Sequence, residues 1–380
     1  MGNRNIKFLD LKAQYNSIKS EVTSAIKRVI ESGSFIGGAE VENFEKEFAG
    51  FCKIKYAISV NSGTDALFLS LKALGIGTGD EVITTPFTFI ATAEAIANCG
   101  VKPVFVDVEP DTLNIDASKI KKAITKNTKA IMPVHIFGQM ANMDEIIKIA
   151  RKHKLFIVED AAQAVGAEYK GKKAGLPRLK AGVMGDLGCF SFFPSKNLGA
   201  MGDGGMIITN SKKLNEKIRL LKNHGSAPKN KYKNLILGTN SRLDSLQASI
   251  LRIKLKHLKK WTESKKEVAD YYGKNLKEVK EICVPVVKDS RSHVFHQYTI
   301  TVARRDKLKS YLERAGIPTM IYYPLPLHLQ PALKYLGYKN GDFPEAEKSS
   351  KEVLSLPIYP ELSRKNQDFV INKIKEFYQK

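Results

Sequence analysis

Among the 61 lysines and arginines of the chain, one lysine stands in surroundings unlike the rest. Lys196 lies in Phe190-Ser191-Phe192-Phe193-Pro194-Ser195-Lys196-Asn197-Leu198-Gly199, and a glycine-rich run, Gly199-Ala200-Met201-Gly202-Asp203-Gly204-Gly205, follows it. An amine among aromatic and small residues is poorly hydrated, sheds its proton more readily, and can then condense with a carbonyl. A surface lysine lying along a strand end is the alternative, and most lysines of this chain sit in polar runs that suit it better. Upstream, Leu155-Phe156-Ile157-Val158-Glu159-Asp160 is a buried-strand pattern that ends in two carboxylates. Asp160 there either faces a cationic ligand at the strand's carboxyl end or caps a helix beginning at Ala161-Ala162. Gln163 lies three residues on, within reach of the same ligand.

Two further segments belong with these. Asn61-Ser62-Gly63-Thr64-Asp65-Ala66-Leu67 follows a strand-like run and opens an apolar-periodic helix. Its free backbone N–H groups around Gly63 and Thr64 suit a phosphate, with the Ser191 hydroxyl as a further donor; an ordinary N-cap by Ser62 or Thr64 also explains the pattern. In Pro86-Phe87-Thr88-Phe89-Ile90-Ala91-Thr92, one phenylalanine could cover a planar ring, or both could be core. An amine, an anion, a phosphate pocket and an aromatic cover are together what pyridoxal 5′-phosphate chemistry asks of a protein.

The elements that must position these residues are legible in outline. Short β-branched runs (57–60, 81–84, 103–106, 130–134, 156–158 and 205–209) alternate with helical patterns such as Leu67, Leu71 and Leu74. That alternation predicts an α/β fold with a mainly parallel sheet covered on both faces. Residues 16–32 predict a helix, and a turn at Ser32-Gly33-Ser34-Phe35-Ile36-Gly37-Gly38 follows. After Asn240, Leu243, Leu246, Ile250 and Ile253 predict a long helix running past Trp261. The expected division is a large domain over 1–255 and a smaller α+β domain over 256–380.

Composition excludes several classes. Hydrophobic residues make up 43% and charged residues 26%, an ordinary globular balance. No run of about 18 apolar residues offers a membrane span. The opening Met1-Gly2-Asn3-Arg4-Asn5 leads into polar sequence, with Ile6 where a myristoylation signal wants Ser or Thr, so the cytoplasm is the expected location. Cys52, Cys99, Cys189 and Cys283 form no C-x-x-C pair, and their apolar neighbours suggest buried thiols rather than a metal site or a disulfide framework. Net charge is +22. The densest basic stretch, Arg252 to Lys266, reads as one solvated amphipathic helix; a phosphate-bearing substrate is a second explanation, and no nucleic-acid-binding motif accompanies the charge.

Taken in order, these segments resemble the DegT/DnrJ/EryC1/StrS family of sugar aminotransferases, a branch of the fold-type I pyridoxal phosphate enzymes. The resemblance runs from Phe8-Leu9-Asp10-Leu11 through the four segments above to Asn223-His224-Gly225, Gly238-Thr239-Asn240-Ser241-Arg242-Leu243-Asp244 and Tyr323-Pro324-Leu325-Pro326-Leu327-His328. It implies that Lys196 joins the cofactor covalently and shuttles the proton, that Asp160 faces the pyridine nitrogen, and that Gln163 faces the ring hydroxyl. Phe89 would stack on the ring, while Gly63, Thr64 and Ser191 hold the phosphate. Asn240 would reach the phosphate of a neighbouring subunit, making a homodimer with composite sites. L-glutamate would be the amino donor. Phe-Phe-Pro-Ser-Lys-Asn-Leu-Gly with Gly-Asp-Gly-Gly resembles members that aminate C3 of nucleotide-linked 3-keto hexoses. Within those, the C-terminal half, with Asn240-Ser241-Arg242-Leu243-Asp244-Ser245-Leu246-Gln247 and Leu329-Gln330-Pro331-Ala332, is most similar to enzymes of UDP-2-acetamido-3-keto-glucuronate, which serve polysaccharide synthesis, with dTDP-3-keto-6-deoxyhexose enzymes as the alternative. Phe35, Arg242 and His328 are the candidate substrate contacts, Arg242 competing with an internal pair to Asp244. A non-catalytic, cofactor-binding regulator is the alternative of another class; the intact Lys196 argues for catalysis.

Overall fold

The computed structural model describes residues 6–171, 178–228 and 230–379; the first five residues lie outside it. Seven strands form the main sheet, in the spatial order Tyr56–Val60, Gly205–Thr209, Leu187–Ser191, Phe156–Asp160, Thr128–Ile131, Glu81–Thr84, Lys102–Phe105. Every neighbouring pair is parallel except those of Gly205–Thr209, which runs antiparallel to both its neighbours. The sheet is covered on both faces, as the near-continuous apolar runs require. Adjacent residues of one strand divide between two cores: Ile83, Ile131, Ile157, Phe190 and Ile208 on one face, Val82, Ala130, Val158, Cys189 and Ile207 on the other.

A third core joins Tyr298–Val302, paired antiparallel with both Ile282–Cys283 and Val353–Leu356, to Leu308, Leu312, Val370 and Ile374 of the C-terminal helices. Helix Ser245–Leu276 links the cores without interruption: Leu258 packs in the first and Val268 in the third. Asp244 caps it, its carboxylate accepting from Gln247 N at 2.8 Å. No helix among the described residues is long and apolar enough to cross a membrane.

Two readings of the sequence need correction. Cys283 is exposed, on a two-residue edge strand, while Cys52, Cys99 and Cys189 are buried. Burial pushes the Cys52 thiol up to about 12 and the Cys99 thiol to about 11, so neither supplies a thiolate. The basic stretch from Arg252 is not wholly solvated. Lys256, Lys259, Lys260 and Lys266 are exposed, but Lys254 and Lys265 are buried. Spacing explains it: Lys254, Leu258, Trp261, Lys265 and Val268 recur every three or four residues, so both lysines fall on the inward stripe.

Candidate active site

The period-two alternation of a strand decides what its two terminal carboxylates do. Glu159 turns into the protein. Its Oε2 accepts from the His135 ring at 2.8 Å and from Gly182 N at 2.9 Å, and its Oε1 from Met184 N at 2.7 Å and Gly185 N at 2.6 Å. Because Ala141 N donates to His135 Nδ1, the ring proton sits on Nε2 and points at the carboxylate. Asp160 turns the other way, into a cavity of about 550 Å³. Glu159→Ala would strand four donors, two buried and two half-buried; the expected loss is about 3–5 kcal/mol, read from denaturant midpoints. A loss below about 1 kcal/mol would mean that Glu159 is not the post that holds this strand end.

Asp160 is followed by a turn rather than the helix allowed for in the sequence; its Oδ1 accepts from Ala162 N at 3.2 Å. Its Oδ2 accepts from the Thr92 hydroxyl at 2.8 Å, a contact across 68 residues that nothing in the sequence announces. Burial pushes the Asp160 carboxyl above the usual carboxylate range, against the pull of these donors and of Lys196. A cation seated against it would relieve that penalty.

Lys196 faces the same cavity. Its loop folds back on itself, with Lys196 N donating to Phe193 O at 2.8 Å. Gly199 closes that fold: a Cβ there would stand 2.3 Å from Pro194 O. Desolvation lowers the Lys196 amine to about 8, and the Asp160 charge opposes the shift. The free-amine fraction at neutral pH is thereby raised by roughly two orders of magnitude over an ordinary lysine.

The phosphate segment lies on the wall beside them. Ser62 caps helix Gly63–Leu74, accepting from Asp65 N at 3.1 Å, and Gly63 and Thr64 at its first turn line the cavity with Ser191. The capping and anion-binding readings therefore hold together. Gly63 is needed there, since a Cβ would stand 2.6 Å from Ser191 Cβ. Phe89 lines the cavity and is 56% exposed, whereas Phe87 is buried against Phe137 and Tyr323. Gln163 also faces the cavity, accepting from Phe137 N at 2.7 Å and donating to the Tyr323 hydroxyl at 3.0 Å.

The other candidates lie elsewhere. Phe35 sits in an exposed turn whose carbonyl accepts from Ser245 N at 2.8 Å. Arg242 donates to Asn223 Oδ1 at 3.0 Å and makes no ion pair with Asp244, and Asn240 is exposed beside it. His328 is 1% exposed, and its ring pairs with Glu347 Oε1 at 2.9 Å against Phe343, which makes it a packing residue within this chain. The reading of the sequence missed Thr92, Phe137, His296, Gln297 and Tyr322, all of which line the cavity.

Three lysines near this site are buried without a bonded carboxylate: Lys196 and Lys254, lowered to about 8, and Lys265, lowered to about 7. Below those values both folded and unfolded chains carry the charge; between them and the ordinary lysine value only the unfolded chain does. Unfolding then takes up protons, so stability rises with pH. Calorimetry of the cofactor-free protein should give a higher Tm at about pH 9 than at about pH 7; a falling profile would contradict the burial of these amines.

An amine, a carboxylate and a helix start on one cavity are shared by many enzymes, and comparison with known proteins decides among them. The profile of the DegT/DnrJ/EryC1/StrS aminotransferase family matches residues 16–375. The chain belongs to this family. It is a sugar aminotransferase, and its cofactor is pyridoxal 5′-phosphate. Among curated relatives, a Geobacillus stearothermophilus protein named pleiotropic regulatory protein is 50% identical, covering 98% of this chain and 99% of its own. The UDP-2-acetamido-2-deoxy-3-oxo-D-glucuronate aminotransferase of Pseudomonas aeruginosa is 42% identical over 94% and 96%. Among solved structures, DesV of S. venezuelae superposes with a TM-score of 0.95 at 43% identity, covering 99% of both chains. The aminotransferase scaffold and its mainly parallel sheet are those expected from the sequence.

Proposed function

We propose that this enzyme transfers an amino group from L-glutamate to C3 of a nucleotide-linked 3-keto hexose, of the UDP-2-acetamido-3-keto-glucuronate type, for cell-surface polysaccharide synthesis. The observation that carries the reading is the convergence of Lys196, Asp160 and the start of helix Gly63–Leu74 on one cavity. Lys196 is the covalent anchor and afterwards the base and acid that moves a proton at its Nζ. Asp160 supplies the fixed negative charge opposite the ring nitrogen, held in place by Thr92 and Ala162. Gly63 and Thr64, with Ser191, bind the phosphate through free N–H groups and a hydroxyl. Phe89 covers the ring, and Gln163 turns from Tyr323 to the ring hydroxyl. Bound there, the cofactor supplies an electron sink for the substrate carbon.

Relatives named for dTDP-3-amino and UDP-3-keto sugars support position 3. They split on the sugar itself. Lys196 is the sole cation among the described residues lining the cavity, which favours a second reading, a dTDP-3-keto-6-deoxyhexose without a carboxylate. The uronate reading needs charge from a second copy of the chain. That same copy would bring Asn240 to the phosphate and Arg242 to the sugar, in a homodimer with composite sites. A panel of UDP- and dTDP-3-keto sugars with glutamate, followed by mass spectrometry, tests both readings. Turnover of the dTDP sugars alone would overturn the uronate assignment, and amination of none of them would overturn position 3. Light scattering beside activity tests the dimer, since an active monomer would remove the role of Asn240.

A further inference from the structure

The proposed chemistry uses Lys196 and leaves a second buried lysine without a task. Lys265 reaches inward from helix Ser245–Leu276 and is 7% exposed. Its Nζ donates to Asn197 Oδ1 at 3.1 Å and to the His296 carbonyl at 3.3 Å. Asn197 in turn donates through Nδ2 to the Val294 carbonyl at 2.8 Å. The residue next to Lys196 is thus tied twice to the segment 294–296, one contact passing through the Lys265 amine. Three turns earlier on the same helix face, Lys254 Nζ donates to Gly199 O at 2.7 Å, just past Lys196 on the other side. His296 lines the cavity beside Lys196, and its Nδ1 is enclosed without a hydrogen-bond partner.

We propose that Lys265 is a positioning residue for Lys196: with Asn197 it clips the Lys196 loop to the His296 segment and sets where the Lys196 amine stands in the cavity. The hydrogen-bond inventory favours this over a lysine that merely fills space. Both partners of Lys265 are acceptors, and a neutral amine has two N–H groups to match them. No acidic group among the described residues offsets its charge, and burial lowers it to about 7, so the neutral form is within reach. An apolar side chain of similar length would fill the volume but leave the Asn197 and His296 oxygens unpaired, freeing the loop to shift. Displacements of an ångström at a reacting amine are costly, because the covalent step demands alignment.

The inference rests on the role of Lys196 given above, and the experiment separates the two. The full-length protein, both loaded with pyridoxal 5′-phosphate and after the cofactor has been removed, is compared with Lys265→Met, Lys265→Arg and Asn197→Ala. Two readouts are taken: the pH midpoint of the bound cofactor's absorbance, and the rate at which added cofactor attaches to Lys196, mapped after borohydride reduction. In Lys265→Met and Asn197→Ala the midpoint should move by about one pH unit. Attachment should slow by about tenfold or more. Lys265→Arg keeps donors at the site but cannot shed its charge, so its attachment rate should stay closer to the parent's than that of Lys265→Met while its midpoint falls. kcat should fall while KM for the sugar holds. Should Lys265→Met fail to fold, Asn197→Ala decides alone. Unchanged midpoint and attachment rate in the folded variants overturn the positioning role only; a parent protein that takes up no cofactor on Lys196 overturns the reading of the site itself.

Discussion

Lys196→Ala is expected to abolish turnover, lowering kcat by about 10⁴-fold or more, because it removes the proposed covalent anchor and proton carrier together. The protein should remain folded. The amine makes no side-chain hydrogen bond that the fold relies on, and its burial is a cost that alanine does not bear. Borohydride should no longer fix the cofactor to the chain, although the proposed phosphate cradle at Gly63, Thr64 and Ser191 should still bind it loosely. Steady-state kinetics with a quantified product, run past one equivalent, is the measurement. Multiple turnovers by the alanine variant would end the mechanism proposed here.

Asp160→Asn is the second large effect, a fall in kcat of about 10²–10³-fold, the scale seen when a preorganised electrostatic contact is removed from a reacting centre. Asparagine keeps an oxygen for the Thr92 hydroxyl or Ala162 N, and it relieves the desolvation that raises the carboxyl, so stability should change by no more than about 1 kcal/mol. A second readout has a definite sign. The Asp160 charge holds the Lys196 amine up against the pull of burial. Its loss should therefore drop the Lys196 midpoint below about 8, measurable in the cofactor-free protein as the pH dependence of its reaction with an aldehyde. An unchanged kcat would reject the assignment of Asp160 to the ring nitrogen. An unchanged midpoint would show that the two side chains are not coupled.

The local grammar of the chain reached the site by a short route. Lys196, Asp160, Gly63, Thr64, Gln163 and Ser191 were picked out by their sequence surroundings, and Phe89 rather than Phe87 by the family resemblance; all face one cavity. They share a physical reason for being readable: Asp160 and Ser191 end strands, Gly63 and Thr64 open a helix, and Phe89, Gln163 and Lys196 lie in the turns and loops close by, all where apolar periodicity breaks off. Phe35, Arg242, Asn240 and His328 had no such break in pattern to locate them, and none lines the cavity within this chain. His328 shows why. In sequence it is a polar residue in a proline-rich loop; in space it is matched to Glu347, 19 residues on, and sealed against Phe343.

The order of strands and helices, the strands covered on both faces and the chemical character of Lys196 are properties of short segments, because hydrophobic period and local desolvation act over a few residues. The division of Glu159 and Asp160 between scaffold and cavity follows from the pleat alone. What the tertiary structure alone decided was every pairing over distance: Thr92 with Asp160, Tyr323 with Gln163, and Lys265 with Asn197 and His296. A hydrogen bond has no memory of sequence separation. Two groups scores of residues apart meet only because sheet and helices, each folded for its own apolar face, bring their ends to one place.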